Sequence, residues 1–98
     1  MTLLIVSQRA QTDIERLTDF LADRLPHDAA RTAGILYEGL RILVQHPEVG
    51  RPVRGGLREL VISRGNSGYL ALYKYDAAQD VVLVLAIRHQ RESGYLAN

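Results

Sequence analysis

The sequence predicts an α+β domain of two layers, a helical hairpin packed on a mainly antiparallel sheet, in the order strand-helix-helix-strand-strand-strand. Three observations predict it. In the first half, two successive segments repeat their apolar residues at helical spacing and meet at Pro26. In the second half, three apolar segments are separated by turns of a few residues. Between them lies a stretch rich in Gly and Pro, residues 47–56. The chain has 98 residues, which suits one domain, 1–98, because domains commonly run to about 100–150 residues.

Residues 2–6, Thr-Leu-Leu-Ile-Val, read as a short buried strand. Ser7 is placed to cap a helix. Ala10, Ile14, Leu17, Leu21 and Leu25 then form one helical stripe, widened by Phe20 and flanked by charged residues. Pro26 ends this helix, because the residue before a proline is pushed out of the α region. A second helix is expected from about His27, with Asp28 in its first turn, where the helix dipole favours an acid. Its stripe is Ala33, Tyr37, Leu40 and Val44, broadened by Ile35, Leu36, Ile42 and Leu43, and His46-Pro47 closes it. Residues 47–56 read as a loop. Strands are expected over Leu57–Ser63, Tyr69–Asp76 and Asp80–His89, and their short connections imply an antiparallel meander. Tyr69, Tyr73 and Tyr75 fall on one face of the middle strand, which reads as core. The last strand, Val-Val-Leu-Val-Leu-Ala-Ile, is apolar on both faces, whereas a half-wet strand should alternate. Something must cover its second face, either the chain's own tail or a partner.

Composition narrows the function. There is no cysteine, hence no disulfide framework and no thiolate chemistry. No apolar run approaches the about 20 residues of a membrane span, and the N-terminus lacks the basic start of a secretion signal. A soluble, cytoplasmic protein without membrane contact is expected. The net charge of +1 hides an asymmetry: residues 1–50 carry five Arg against seven acids, and residues 51–98 carry six Arg and one Lys against four acids. An arginine-weighted second half suits an anionic partner, since guanidinium pairs with phosphate or carboxylate through two parallel bonds. Codon bias would also enrich arginine, but explains the clustering less well. The three histidines show no ligand spacing, so neither metal nor cofactor is expected. No phosphate-binding loop and no nucleophile elbow are present.

Four segments together resemble the RelE/ParE toxin superfamily across nearly the whole chain. These are SQRAQTDIERLTDFLADRLP, GRPVRGGLRELVI, YLALYKYD and VVLVLAIRHQRE. The resemblance implies a growth inhibitor neutralised by a cognate antitoxin, whose flexible segment folds on the toxin; operator DNA is bound only through that complex. Antitoxin contacts are expected at Leu17, Phe20, Leu21 and Tyr37. In one branch the target is the ribosome, where mRNA is cleaved; in the ParE branch it is DNA gyrase. The Gly-Arg-Pro loop and the Leu-Arg-Glu-Leu-Val strand lean to the ParE branch, as does the single Lys, Lys74, which lies in mid-strand. A member that only binds an antitoxin or operator is a third reading.

Arg51, Arg54, Arg58, Arg64, Arg88 and Arg91 are the candidate target-binding residues, with Tyr95. If the strands are neighbours, several arginines converge on one sheet edge and clamp phosphates or acidic side chains. The alternative is a set of solvated arginines, with Arg58 paired to Glu59 or Glu92 at the small value of a surface ion pair. His89, beside Arg88 and Arg91, is the candidate acid of a nuclease; the alternative is a hydrogen-bonded histidine fixing the tail. Tyr95 either stacks on a base or packs the tail down.

Overall fold

The computed structural model describes residues 1–22, 26–64 and 67–95. The elements are β1 (Leu3–Val6), α1 (Gln8–Ala22), α2 (Pro26–Gln45), β2 (Arg51–Pro52), a 3-10 turn (Arg54–Gly56), β3 (Arg58–Arg64), β4 (Ser67–Asp76) and β5 (Val81–His89). The two-layer α+β order holds. The sheet runs β1-β5-β4-β3-β2. β1 pairs parallel with β5, and every other pair is antiparallel.

Local chemistry sets the element ends. Ser7 caps α1: its hydroxyl accepts the Ala10 N–H at 3.1 Å. α2 starts on Pro26, a first-turn position where no N–H is needed. The expected loop 47–56 contains a strand, β2, because Arg51 and Pro52 pair with Glu59 and Arg58. Two residues are too few to carry a periodicity, and a proline at a sheet edge leaves no inner ladder bond unmade. β5 starts at Val81 rather than Asp80, because Asp80 closes the turn in the left-handed region (φ 56°). Aspartate tolerates that conformation better than most residues. The Asp80 carboxylate accepts the hydroxyls of Thr2 (2.7 Å) and Tyr75 (2.8 Å), and its carbonyl accepts the Leu3 N–H (3.0 Å). These bonds fasten β1 to the β4–β5 turn.

The core lies between the helices and one sheet face. Ala10, Ile14, Leu36, Leu40 and Leu43 pack on Ile62, Tyr69, Ala71, Tyr73, Val82, Val84 and Ile87. Tyr69 and Tyr73 are buried here, as expected of core residues; Tyr75 packs against the cluster from its edge. Tyr73 is fully buried and its hydroxyl accepts the Gly50 N–H at 2.9 Å. That bond satisfies the hydroxyl and pins the loop before β2. Burying a side chain of this size contributes about 2–3 kcal/mol.

A bulge explains the last strand. Leu72 faces Ala86 but Tyr73 faces Val84, so Leu85 is an extra residue. Val82 and Val84 point at the helices before it, and Ile87 and His89 after it. Ala86, opposite Leu72, falls on the outer face and is still buried, as are Glu59 and Leu70. Over this end of the outer face, the chain's own tail supplies cover through Tyr95. Toward β1 the outer face is open: Leu3 and Ile5 are exposed.

Candidate functional site: the basic end of the sheet

β1 stops opposite Val84. Beyond that point, among the described residues, β5 has no strand neighbour on that side, and its backbone groups there need other partners. Side chains supply them. The Ser7 hydroxyl donates to the Leu85 carbonyl at 3.2 Å. The Ile87 N–H donates to Asp13 at 2.9 Å, and the His89 N–H donates to Glu92 at 2.8 Å. Asp13 is buried, with Arg9 at 3.8 Å and Arg16 at 3.7 Å. Arg16 also pairs with Glu92 at 2.9 Å. An ionic chain, Arg9–Asp13–Arg16–Glu92, thus runs from α1 to the tail and seals the open edge of β5.

Only part of the expected arginine cluster forms. On the outer face Arg51, Arg88 and Tyr95 gather around Glu59. Arg51 donates to Glu59 from Nη2 (2.5 Å) and Nε (3.1 Å), and the Tyr95 hydroxyl donates to the other carboxylate oxygen at 2.7 Å. The Arg88 guanidinium lies 5.2 Å from the Tyr95 ring centre and donates to the Glu92 carbonyl at 2.7 Å. Burial alone pushes the Glu59 carboxyl up; the Tyr95 hydroxyl and Arg51, helped by Arg88, outweigh it and hold the carboxyl below its ordinary range. Burial, then the bond to Glu59, pushes the Tyr95 hydroxyl well above the ordinary tyrosine value, so it remains the donor.

The other candidates lie elsewhere. Arg58 belongs to the helix-side face, opposite Tyr73. It donates to the carbonyls of Glu48 (2.9 Å) and Gly50 (2.8 Å), and its carboxylate partner is Glu48, neither Glu59 nor Glu92. Its work is to clamp the loop. Arg54 in the 3-10 turn and Arg91 after β5 are exposed, and among the described residues no carboxylate pairs with either. The side chain of Arg64 lies outside the described residues, as do those of Phe20 and Leu21. Leu17 packs against the core, while Tyr37 stands 44% exposed on α2.

His89 points to the helix side and meets the Tyr69 ring edge-on at 5.1 Å. Its Nδ1 accepts the Arg91 N–H at 3.1 Å, which leaves Nε2 to carry the proton of the neutral ring. Arg88, one residue earlier, points to the opposite face. The trio His89, Arg88 and Arg91 therefore does not aim at one point. Among the described residues, no group of three or more His, Cys, Asp and Glu side chains is placed to hold a metal, and no helix is long and apolar enough to cross a membrane.

Sequence reading missed Asp13 and Glu92. Asp13 carried a signal: it lies three residues after Ala10 and four before Leu17, inside the apolar stripe, where an acid is buried and needs donors. Glu92 carried none, because its partners are 3 and 76 residues away.

Comparison with known proteins agrees with this architecture. The family model for the ParE toxin of the type II toxin–antitoxin system parDE matches residues 4–94. Toxin RelE3 of Caulobacter vibrioides is 33% identical over 84 residues, covering 86% of this chain and 89% of the relative. Toxin RelE1 of the same organism is 38% identical over 71 residues, covering 72% and 76%. A chain of the chromosomal ParDE system from P. aeruginosa superposes with a TM-score of 0.75 at 22% identity, covering 91% of this chain and 96% of that one. One from the RelBE2 toxin–antitoxin complex of Mycobacterium tuberculosis gives 0.62 at 22% identity, covering 91% and 98%. The helical hairpin on a five-stranded sheet is thus a fold shared with these structures, and the chain belongs to the ParE toxin family of type II toxin–antitoxin systems.

Proposed function

We propose that this toxin arrests growth by binding and poisoning DNA gyrase, and that a cognate antitoxin neutralises it. The observation that carries the choice of target is the divergence of His89 and Arg88. A ribonuclease needs an acid–base pair and charge stabilisers around one phosphate, held to within a fraction of an ångström. Here His89 and Arg88 leave β5 on opposite faces, Nδ1 of His89 is taken by a backbone N–H, and Arg88 is tied to the tail. A rigid surface with exposed Arg51, Arg54 and Arg91 instead suits docking on acidic groups of a protein.

The antitoxin reading rests on a separate surface. Ile35, Gly39 and Ile42 of α2 and Leu60, Val61 and Ile62 of β3 line an open groove of about 410 Å³. Beside it, β2 covers Arg58 and Glu59 of β3, and among the described residues no other strand lies along that edge, which leaves it open to an extended segment. Tyr37 and Ile42 add exposed apolar area.

The test of the target uses purified chain, DNA gyrase, relaxed plasmid and ATP. Loss of supercoiling with accumulation of cleaved DNA is expected. Untouched gyrase at toxin excess, together with cut mRNA on programmed ribosomes, would overturn the reading in favour of the ribonuclease.

A further inference from the structure

We infer that Glu92 is a positioning residue of the working surface: it stands in for the missing strand beside the end of β5 and so fixes the segment that carries Arg88, His89 and Arg91. This inference rests on the reading of that segment as target-facing, but not on which target it faces.

The geometry makes Glu92 a junction. One carboxylate oxygen accepts the His89 N–H at 2.8 Å; the other accepts Arg16 Nη1 of α1 at 2.9 Å. Its carbonyl accepts Arg88 Nη1 at 2.7 Å, and its own N–H donates to the His89 carbonyl at 2.9 Å. One residue thereby holds the backbone of β5, the guanidinium on the outer face and the helix layer in a single arrangement. It also closes the turn that presents Arg91, whose N–H is fixed by His89 Nδ1.

The three side chains that line the open edge of β5 are not equivalent. Asp13 is buried and its partner, the Ile87 N–H, is buried with it. Losing it strands a donor in the core, so Asp13 belongs to folding. The Glu92 side chain retains 26% of its exposure and its bond to His89 is only partly buried. Water can reach that bond and replace it, because the site is only partly buried. What water cannot replace is direction. Without the carboxylate the turn 89–92 loses its ties to α1 and to the His89 N–H, so the turn that carries Arg91 and holds Arg88 through its Glu92 carbonyl is no longer fixed against the helix layer. A docking surface loses affinity when its charged groups must be ordered on binding.

The test compares Glu92→Ala and Glu92→Gln with the wild-type chain in three measurements: growth arrest on induction, thermal unfolding, and amide hydrogen exchange. Glu92→Ala is expected to weaken arrest at least tenfold in the inducer level required, with an unchanged unfolding midpoint. Exchange at the His89 amide should quicken at least tenfold, while the Ile87 amide, held by Asp13, should not change. Glu92→Gln keeps an acceptor for the His89 N–H and should recover most of the arrest. Full arrest by Glu92→Ala would overturn the inference. So would a loss of arrest that tracks a fall in the unfolding midpoint, or a loss that Glu92→Gln does not repair. Arrest in cells does not depend on the target's identity. A negative gyrase assay would therefore remove the proposed target and leave this inference standing.

Discussion

Glu59 and Tyr95 form the most consequential single contact on the outer face. Tyr95→Phe removes one hydrogen bond to a buried carboxylate that keeps its bonds to Arg51. Calorimetric unfolding should record a loss of about 1.5–3 kcal/mol, the range for a bond to a charged group. The pH dependence has a definite sign. The Glu59 carboxyl is lowered in the folded chain, so its contribution is full above the ordinary carboxylate value and disappears as pH falls through the lowered folded value. The Tyr95 hydroxyl is raised, so its contribution is full below the ordinary tyrosine value, about 10, and declines as pH climbs above it. Denaturation against pH should show both flanks, and Tyr95→Phe should reduce the alkaline one, to which burial of Tyr73 and the bond from Tyr75 to Asp80 also contribute. An unchanged alkaline flank would mean that Tyr95 does not reach Glu59 in solution. Arg88 and Arg91 differ in the same way. Arg91→Glu should relieve growth arrest with no change in unfolding midpoint, because its side chain is exposed. Arg88→Glu should lower both, because it breaks the tie to the Glu92 carbonyl and the contact with Tyr95.

At the scale of elements, the edge of β5 depends on α1. Ser7 and Asp13 serve the helix and the strand together: Ser7 caps α1 and bonds Leu85, and Asp13 sits in the apolar stripe and bonds Ile87. Asp13→Ala should cost about 3 kcal/mol or more, because it leaves both a buried N–H and the Arg9 and Arg16 charges without their partner. Gly50 is equally exacting. A Cβ there would lie 2.7 Å from the Tyr73 ring and 2.9 Å from the Glu59 carbonyl, so Gly50→Ala should destabilise by about 1–3 kcal/mol through overpacking. Chemical denaturation of both variants checks these values. The elements themselves were legible because each has a strong local signal: the stripe Ala10–Ile14–Leu17, the proline at the start of α2 and the alternating tyrosines of β4. The bulge at Leu85 was not. It reverses which face later residues occupy, and the Ile87 N–H that follows it is held by Asp13, 74 residues away, a partner that no local pattern signals. β2 was hidden for a simpler reason, since its two residues acquire strand geometry only from β3.

At the scale of the whole molecule, the apolar second face of β5 announced a cover, and the structure divides it. The tail takes the end near Glu59, and the surface near Leu3 and Ile5 stays open. The arginine-rich second half supplies the arginines at this end of the sheet, but charge counting does not reveal their partners. Arg58 turned out to clamp the loop through Glu48 and Gly50, and Arg51 to brace Glu59. In the proposed reading, what is left exposed, Arg54 and Arg91 with the outer part of Arg51, serves for docking on a protein target. The most direct measurement of that claim is growth arrest by His89→Gln, in which the glutamine amide oxygen can replace Nδ1 as acceptor for the Arg91 N–H. A toxin that works by binding keeps its arrest within about twofold. A loss of about a hundredfold or more, with the unfolding midpoint unchanged, is what removal of an acid–base group produces, and it would contradict the account.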